Sequence, residues 1–147
     1  MIVLREFETK TGGRFDIIDL TDDVSEVVHS SGVNDGTVLI FSPHTTCSVL
    51  IGSPGPALTA SLENAMEEIA PAEDYYAHDD FDIRTENLQD NEPPNAPSHI
   101  FHIVAGHVSQ SIPVESGKAL LGNGQRVLFI ELDGSRLRRY CIQVAGE

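Results

Sequence analysis

At 147 residues, with 40% hydrophobic and 22% charged residues, the chain has the length and balance of one folded domain spanning residues 1–147. It is too short for an eight-stranded TIM barrel, which needs about 250 residues. Nine basic against 23 acidic residues leave a net charge of −14. That charge repels phosphate backbones and anionic bilayers, so the expected partner is a small molecule, a cation or another protein, with no nucleic acid and no membrane.

No apolar run approaches the roughly 20 residues that cross a bilayer, and the opening Met1-Ile2-Val3-Leu4-Arg5-Glu6 lacks a basic, signal-like start. A cytoplasmic location is expected. Cys47 and Cys141 then read as two reduced thiols in strands rather than a bridge. Lys10 and Lys118 are the only lysines, a scarcity that, with the acid excess, fits a salt-rich cytoplasm.

Ile2 to Thr9 is rich in branched residues and predicts a strand; Gly12-Gly13 turns the chain, and Phe15, Ile17 and Ile18 suggest a second. Thr21 is placed to cap a short helix, with Asp22 and Asp23 in the first turn, Val24, Val27 and Val28 at helical spacing and Gly32 as the stop. Thr37 to Phe41 is the most strand-like run and reads as central, delivering Ser42-Pro43-His44 to a sheet edge. Thr45 to Ile51 resumes β character. From Pro56, Leu58, Leu62, Ala65, Met66 and Ile69 recur at four and three residues, which marks the main helix, ending before Pro71.

Between Pro71 and Pro97 periodicity fails and eight acids gather, the pattern of a functional or disordered loop. Ser98 is placed to cap a short helix with Ile100, Ile103 and Val104 inward and Gly106 at its end. The remainder reads as strands through Ile112-Pro113-Val114, from Val127 to Leu132 and from Arg136 to Val144, with turns at Ser116-Gly117 and Asp133-Gly134. The fold class that emerges is α+β and mostly β: a two-sheet sandwich of about eight strands with one main helix and one or two short ones.

His44, followed by Thr45-Thr46, puts an imidazole and two hydroxyls at a strand exit, a position that commonly faces a pocket. The bland alternative is a partly buried histidine bonded to a carbonyl. Asn95-Ala96-Pro97-Ser98-His99 opens a helix, where backbone donors, the Asn95 amide and the His99 imidazole can converge on an anion. His102 lies on the same helical face as His99, and His78 adjoins Asp79 and Asp80; each has an ordinary surface or core reading as well. Arg136, Arg138 and Arg139 are the only basic cluster, suited either to forking onto phosphate oxygens or to salt bridges. Cys47 reads as packing rather than as a nucleophile.

Ser42-Pro43-His44-Thr45-Thr46, Asn95-Ala96-Pro97-Ser98-His99-Ile100, Ser111-Ile112-Pro113-Val114, Leu120-Leu121-Gly122 and Glu131-Leu132-Asp133-Gly134 resemble, in this order, the secondary thiamine-phosphate synthase family, long catalogued as uncharacterised. Tyr75-Tyr76-Ala77-His78 is similar to that family's aromatic-then-histidine segment. The resemblance implies a homotrimer with sites near subunit boundaries, built from His44, Thr45, Thr46, His78, Asn95, His99 and Gln125. It also implies coupling of an aminopyrimidine pyrophosphate to a thiazole phosphate. Two departures stand out: Gly52 and Ser53 replace the family's usual asparagine and glutamate, and Gly124 replaces its tryptophan.

The resulting expectation is a small enzyme acting on phosphorylated heterocycles. His44, Thr45, Thr46, His99 and Gln125 are the catalytic candidates, and Asn95, Arg136 and Arg138 the ligand-binding ones. A divalent zinc, magnesium or manganese ion would be held by His44, His78 and His99. The competing expectations are a metal-assisted phosphoester hydrolase on the same residues and a non-catalytic trimeric ligand-binding module.

Overall fold

The computed structural model describes all of Met1–Glu147. Every strand pairing in it is antiparallel. A five-stranded sheet has the order β1 (Ile2–Lys10), β8 (Leu137–Gly146), β3 (Gly36–Phe41), β5 (Ser109–Glu115), β6 (Lys118–Ala119). A three-stranded sheet has the order β2 (Ile17–Asp19), β7 (Arg126–Glu131), β4 (Cys47–Gly52). Three helices complete the fold: α1 (Thr21–Ser31), α2 (Pro56–Ile69) and α3 (Ala96–Ala105). The expected class, mostly β with two sheets and a few helices, is the one observed.

Alternation along the strands explains the layers. Val38 and Ile40 of β3, Tyr140, Ile142 and Val144 of β8, and Val127 and Phe129 of β7 enter one core with Val24, Val27 and Val28 of α1. The other face of β7 is also covered: Leu128 and Ile130 pack with Met66 of α2 and Phe101 of α3. β7 is therefore buried on both faces, whereas β3 is central in its sheet, as expected, and buries only alternate residues. At the far end of the larger sheet Gly36 faces Gly146, where a side chain on Gly36 would strike the Ala145 carbonyl.

Several local expectations are corrected. Thr21 is the first residue of α1 rather than its cap; the Asp19 carboxylate accepts its N–H and O–H at 2.9 and 2.6 Å, and the Thr21 hydroxyl in turn accepts the Val127 N–H. Phe15 has φ 60° and lies outside β2, its ring turned into the smaller core. α3 starts two residues before Ser98, and Ile103 and Val104 point outward, 81% and 65% exposed. Helical periodicity finds an apolar stripe but not which stripe is covered. No helix is long and apolar enough to cross a membrane.

Candidate functional site

The long acidic loop is organised around one cation. Arg84 is buried, and its guanidinium donates to the carbonyls of His78, Glu86 and Asn87 and, at 3.1 Å, to Glu92. This folds the segment back on itself and brings His78, in a single 3₁₀ turn (Ala77–Asp79), against α3. Asp79 accepts the Ala96 N–H at 3.0 Å and so occupies the α3 N-terminus, where a carboxylate meets both the free amide and the helix dipole. The backbone donors that the sequence suggested for an anion are thus partly used by the chain itself.

Asp79 also holds His78, with Nδ1 and Oδ1 2.8 Å apart, while His78 Nε2 lies 3.5 Å from Glu92. The His78 and His99 rings stand 4.8 Å apart, centroid to centroid. Burial, and then the neighbouring His78, lower the pKa of His99 from its ordinary value, which favours the neutral imidazole.

The second wall comes from the strand exits. β3 ends at Phe41, and His44 beyond it accepts the Arg139 N–H on Nε2 at 2.9 Å, its ring edge-on to Phe129. Burial, followed by the nearby charge of Arg138, lowers the His44 pKa. Thr46 is buried and Thr45 exposed. On β7 and β8, Glu131 and Arg138 form a buried pair: Arg138 Nε and Nη2 each donate to a Glu131 oxygen at 2.7 Å, and Nη2 also reaches Thr46 Oγ1 at 3.2 Å. Thr11 Oγ1, the Asp133 N–H and, at 3.6 Å, the Cys47 thiol complete the shell of Glu131. Burial raises the Glu131 pKa, but the bonds from Arg138 and Thr11 outweigh it and leave the group below the ordinary carboxylate value.

Asp133 joins the two walls. Its carboxylate accepts from Asn95 Nδ2 at 2.7 Å and from Ser98 Oγ at 3.3 Å, and it pairs with Arg136 Nη2 at 2.7 Å. The walls enclose a cleft of about 930 Å³ lined by His44, Thr45, Thr46, His78, Asn95, His99, Arg136 and Arg138, and by the loop with Arg84 and Glu92. Of the residues expected to be catalytic, ligand-binding or metal-holding, only Gln125 stays away. It sits exposed in the turn before β7, its amide oxygen accepting the Gly122 N–H, while Glu131 ends the strand at its other end.

Arg84, Glu131 and Asp133 carry the architecture of the cleft; on the strand pattern alone Glu131 and Asp133 are merely polar positions at the sheet edge that also holds the arginines. The signal for Arg84 was present, as the lone arginine in a run of acids. Cys47 is a closed thiol: burial, then the adjacent Glu131 charge, push its pKa up to about 12. His102 does not line the cleft and is half-buried, with Nε2 unpartnered. Nowhere are three His, Cys, Asp or Glu side chains arranged to hold a metal ion. His78 and His99 adjoin, but His44 Nε2 is taken by the Arg139 amide, so the expected set of His44, His78 and His99 does not fit a divalent ion as it stands.

A small α+β chain of two antiparallel sheets with a polar, histidine-lined cleft is the class that the fold and site define. The family described as "UPF0047 protein YjbQ-like" matches residues 5–147, and the chain belongs to it. A UPF0047 protein of Archaeoglobus fulgidus is 38% identical over 138 residues, covering 94% of this chain and 98% of that protein. One from Methanothermobacter thermautotrophicus is 35% identical, covering 99% and 94%. Among solved structures, a YbjQ-like protein of unknown function from Sulfolobus solfataricus superposes with a TM-score of 0.85 at 25% identity, covering 100% of this chain and 99% of that one. An uncharacterised YjbQ/UPF0047 protein of Clostridium acetobutylicum gives 0.80 at 30% identity, covering 96% and 99%.

These matches correct the resemblance drawn from motifs. They identify the YjbQ-like UPF0047 family, and nothing in them points to thiamine-phosphate synthesis or to a transferase. The physical reason lies in what the motif blocks do. Three of them build the cleft and its buried frame, and Ser111-Ile112-Pro113-Val114 is part of β5, so together they mark a fold and a site rather than a reaction.

Proposed function

We propose that the chain is a small enzyme that binds a phosphorylated small molecule in this cleft and acts on it by proton transfer through His99 and His78. The observation that carries the reading is a concentration: three of the chain's six histidines and three of its seven arginines line one polar cleft. His99, kept neutral by burial, takes a proton from the attacking group, and Asp79 fixes the ring of His78 beside it. Hydrolysis of a phosphoester fits these groups: the water oxygen bonds to phosphorus, the ester oxygen leaves with its electron pair, and the proton removed from water rests on His99. Positioning and electrostatic stabilisation supply most of the acceleration in such chemistry.

The test is initial-rate assay of a panel of phosphate monoesters and pyrophosphates with wild type and with His99→Gln. Turnover that falls at least about a hundredfold in the variant supports the reading, since general acid–base groups typically contribute 10²–10⁴. Turnover equal in both overturns it.

A second reading, a non-catalytic ligand-binding module in a homotrimer, draws on two observations. Each cleft arginine is already paired within the chain, and Ile103 and Val104 leave apolar surface beside the cleft. Assembly is also the route by which Gln125 of another copy can reach a cleft. Light scattering that gives three times the chain mass supports the trimer, and a monomer refutes it. A cytoplasmic site of action belongs to the proposal and is supported by the two free cysteines.

A further inference from the structure

Arg138 is held on one edge only. Its Nε and Nη2 are committed to Glu131 and Thr46, whereas Nη1 has no acceptor in the protein, and the side chain, only 6% exposed, lines the cleft. A guanidinium locked by a fully buried carboxylate cannot swing to satisfy Nη1 elsewhere.

The same logic applies to its neighbours. Thr46 Oγ1 accepts from Arg138, which leaves its hydroxyl proton free to donate. His44 Nε2 accepts the Arg139 N–H, so the neutral ring carries its proton on Nδ1; protonating Nε2 would set two N–H groups against each other. Three groups at one strand exit therefore each retain an unused donor, and all three belong to residues that line the cleft. The one carboxylate packed among them, Glu131, is fully buried and saturated by Arg138, Thr11 and the Asp133 amide.

We infer that Arg138 Nη1, Thr46 Oγ1–H and His44 Nδ1–H form a donor-only subsite for a tetrahedral oxyanion, the terminal phosphate of the ligand, with Glu131 as the positioning residue that presets Arg138. This rests on the proposed function and deepens it by separating the cleft into a phosphate seat on the strand exits and an acid–base pair, His78 and His99, on the loop and α3. Ligands bearing a phosphate monoester are the class it selects. A neutral analogue that lacks the oxyanion would cover the Arg138 donor edge without pairing it and lose affinity.

Titration of inorganic phosphate into the folded protein, followed by calorimetry, tests this without any ester. Thr46→Val is expected to weaken phosphate binding at least about tenfold, Thr46→Ser to restore it, and Arg138→Lys to weaken it comparably. His29→Gln, an exposed histidine of α1 outside the cleft, is expected to leave it within about twofold. Absence of phosphate binding by wild type at millimolar concentration, unchanged binding in Thr46→Val, or a loss in His29→Gln as large as in Thr46→Val would each overturn the subsite. Circular dichroism confirms folding, and Thr46→Val, a near-isosteric change, carries the test if Arg138→Lys does not fold. Thr46-dependent phosphate binding with no turnover of any ester would uphold the subsite and overturn the enzymatic reading, so the two failures are distinct.

Discussion

Glu131→Ala removes one partner of a buried ion pair. The carboxylate is 0% exposed and accepts from Arg138 Nε and Nη2 and Thr11 Oγ1 at 2.7 Å and from the Asp133 N–H at 3.1 Å. Its loss leaves the Arg138 charge, 6% exposed, with Thr46 Oγ1 as its one remaining side-chain acceptor. Breaking such a pair costs about 3–5 kcal/mol, against a total of roughly 5–15 kcal/mol for a domain, and lowers the melting temperature on the order of 10 °C at this size.

Urea unfolding with an unchanged slope reads the cost directly. The double variant Glu131→Leu/Arg138→Met should recover most of it, because replacing both partners by apolar groups removes the stranded charge. The pH dependence has a definite sign. The folded pKa of Glu131 lies below its unfolded value, so its contribution is present above the unfolded carboxylate pKa, near 4.3, and is lost as pH falls through the folded one. The gap between wild type and Glu131→Ala should therefore narrow in acid. A loss below about 1 kcal/mol at pH 7, or a gap that widens in acid, would refute the buried-pair reasoning.

Asp79→Ala should cost about 1 kcal/mol by uncapping α3 and should depress turnover by freeing His78; Asp79→Asn should regain most of the stability but not the turnover. His44, His99 and His102 all have folded pKa values below the unfolded 6.5, so the unfolded chain takes up protons first. Stability should fall as pH drops below about 6.5, and less steeply in His44→Gln/His99→Gln; a parallel decline in both proteins would contradict this. Cys47, its pKa about 12, should resist a thiol reagent at pH 8 until the protein unfolds, and Cys47→Ala should leave phosphate-ester turnover intact.

Much of the fold was legible because its strands alternate and its main helix repeats at four and three, patterns that burial imposes directly on sequence. What escaped was relational. The residues of β7 read as an ordinary strand, and nothing local marks Glu131 as the partner of Arg138; the pairing arises because the end of β7 lies beside the start of β8. Likewise the stripe carrying Ile103 and Val104 is visible, but its exposure depends on which side of α3 meets the smaller sheet. The cleft residues were legible as polar groups at strand exits and at a helix start, whereas Gln125, a merely polar position on the strand pattern, became a site candidate through family resemblance. The reaction was the least legible part, since the motif blocks encode a cleft shared across a family rather than one substrate.

The most direct test of the central claim is the rate of phosphate release from a panel of small phosphate esters, measured side by side for wild type and His99→Gln at pH 7.5. A wild-type rate that depends on at least one ester and falls about a hundredfold or more in the variant is the predicted result. Phosphate release at the buffer rate by both proteins across the panel would contradict it.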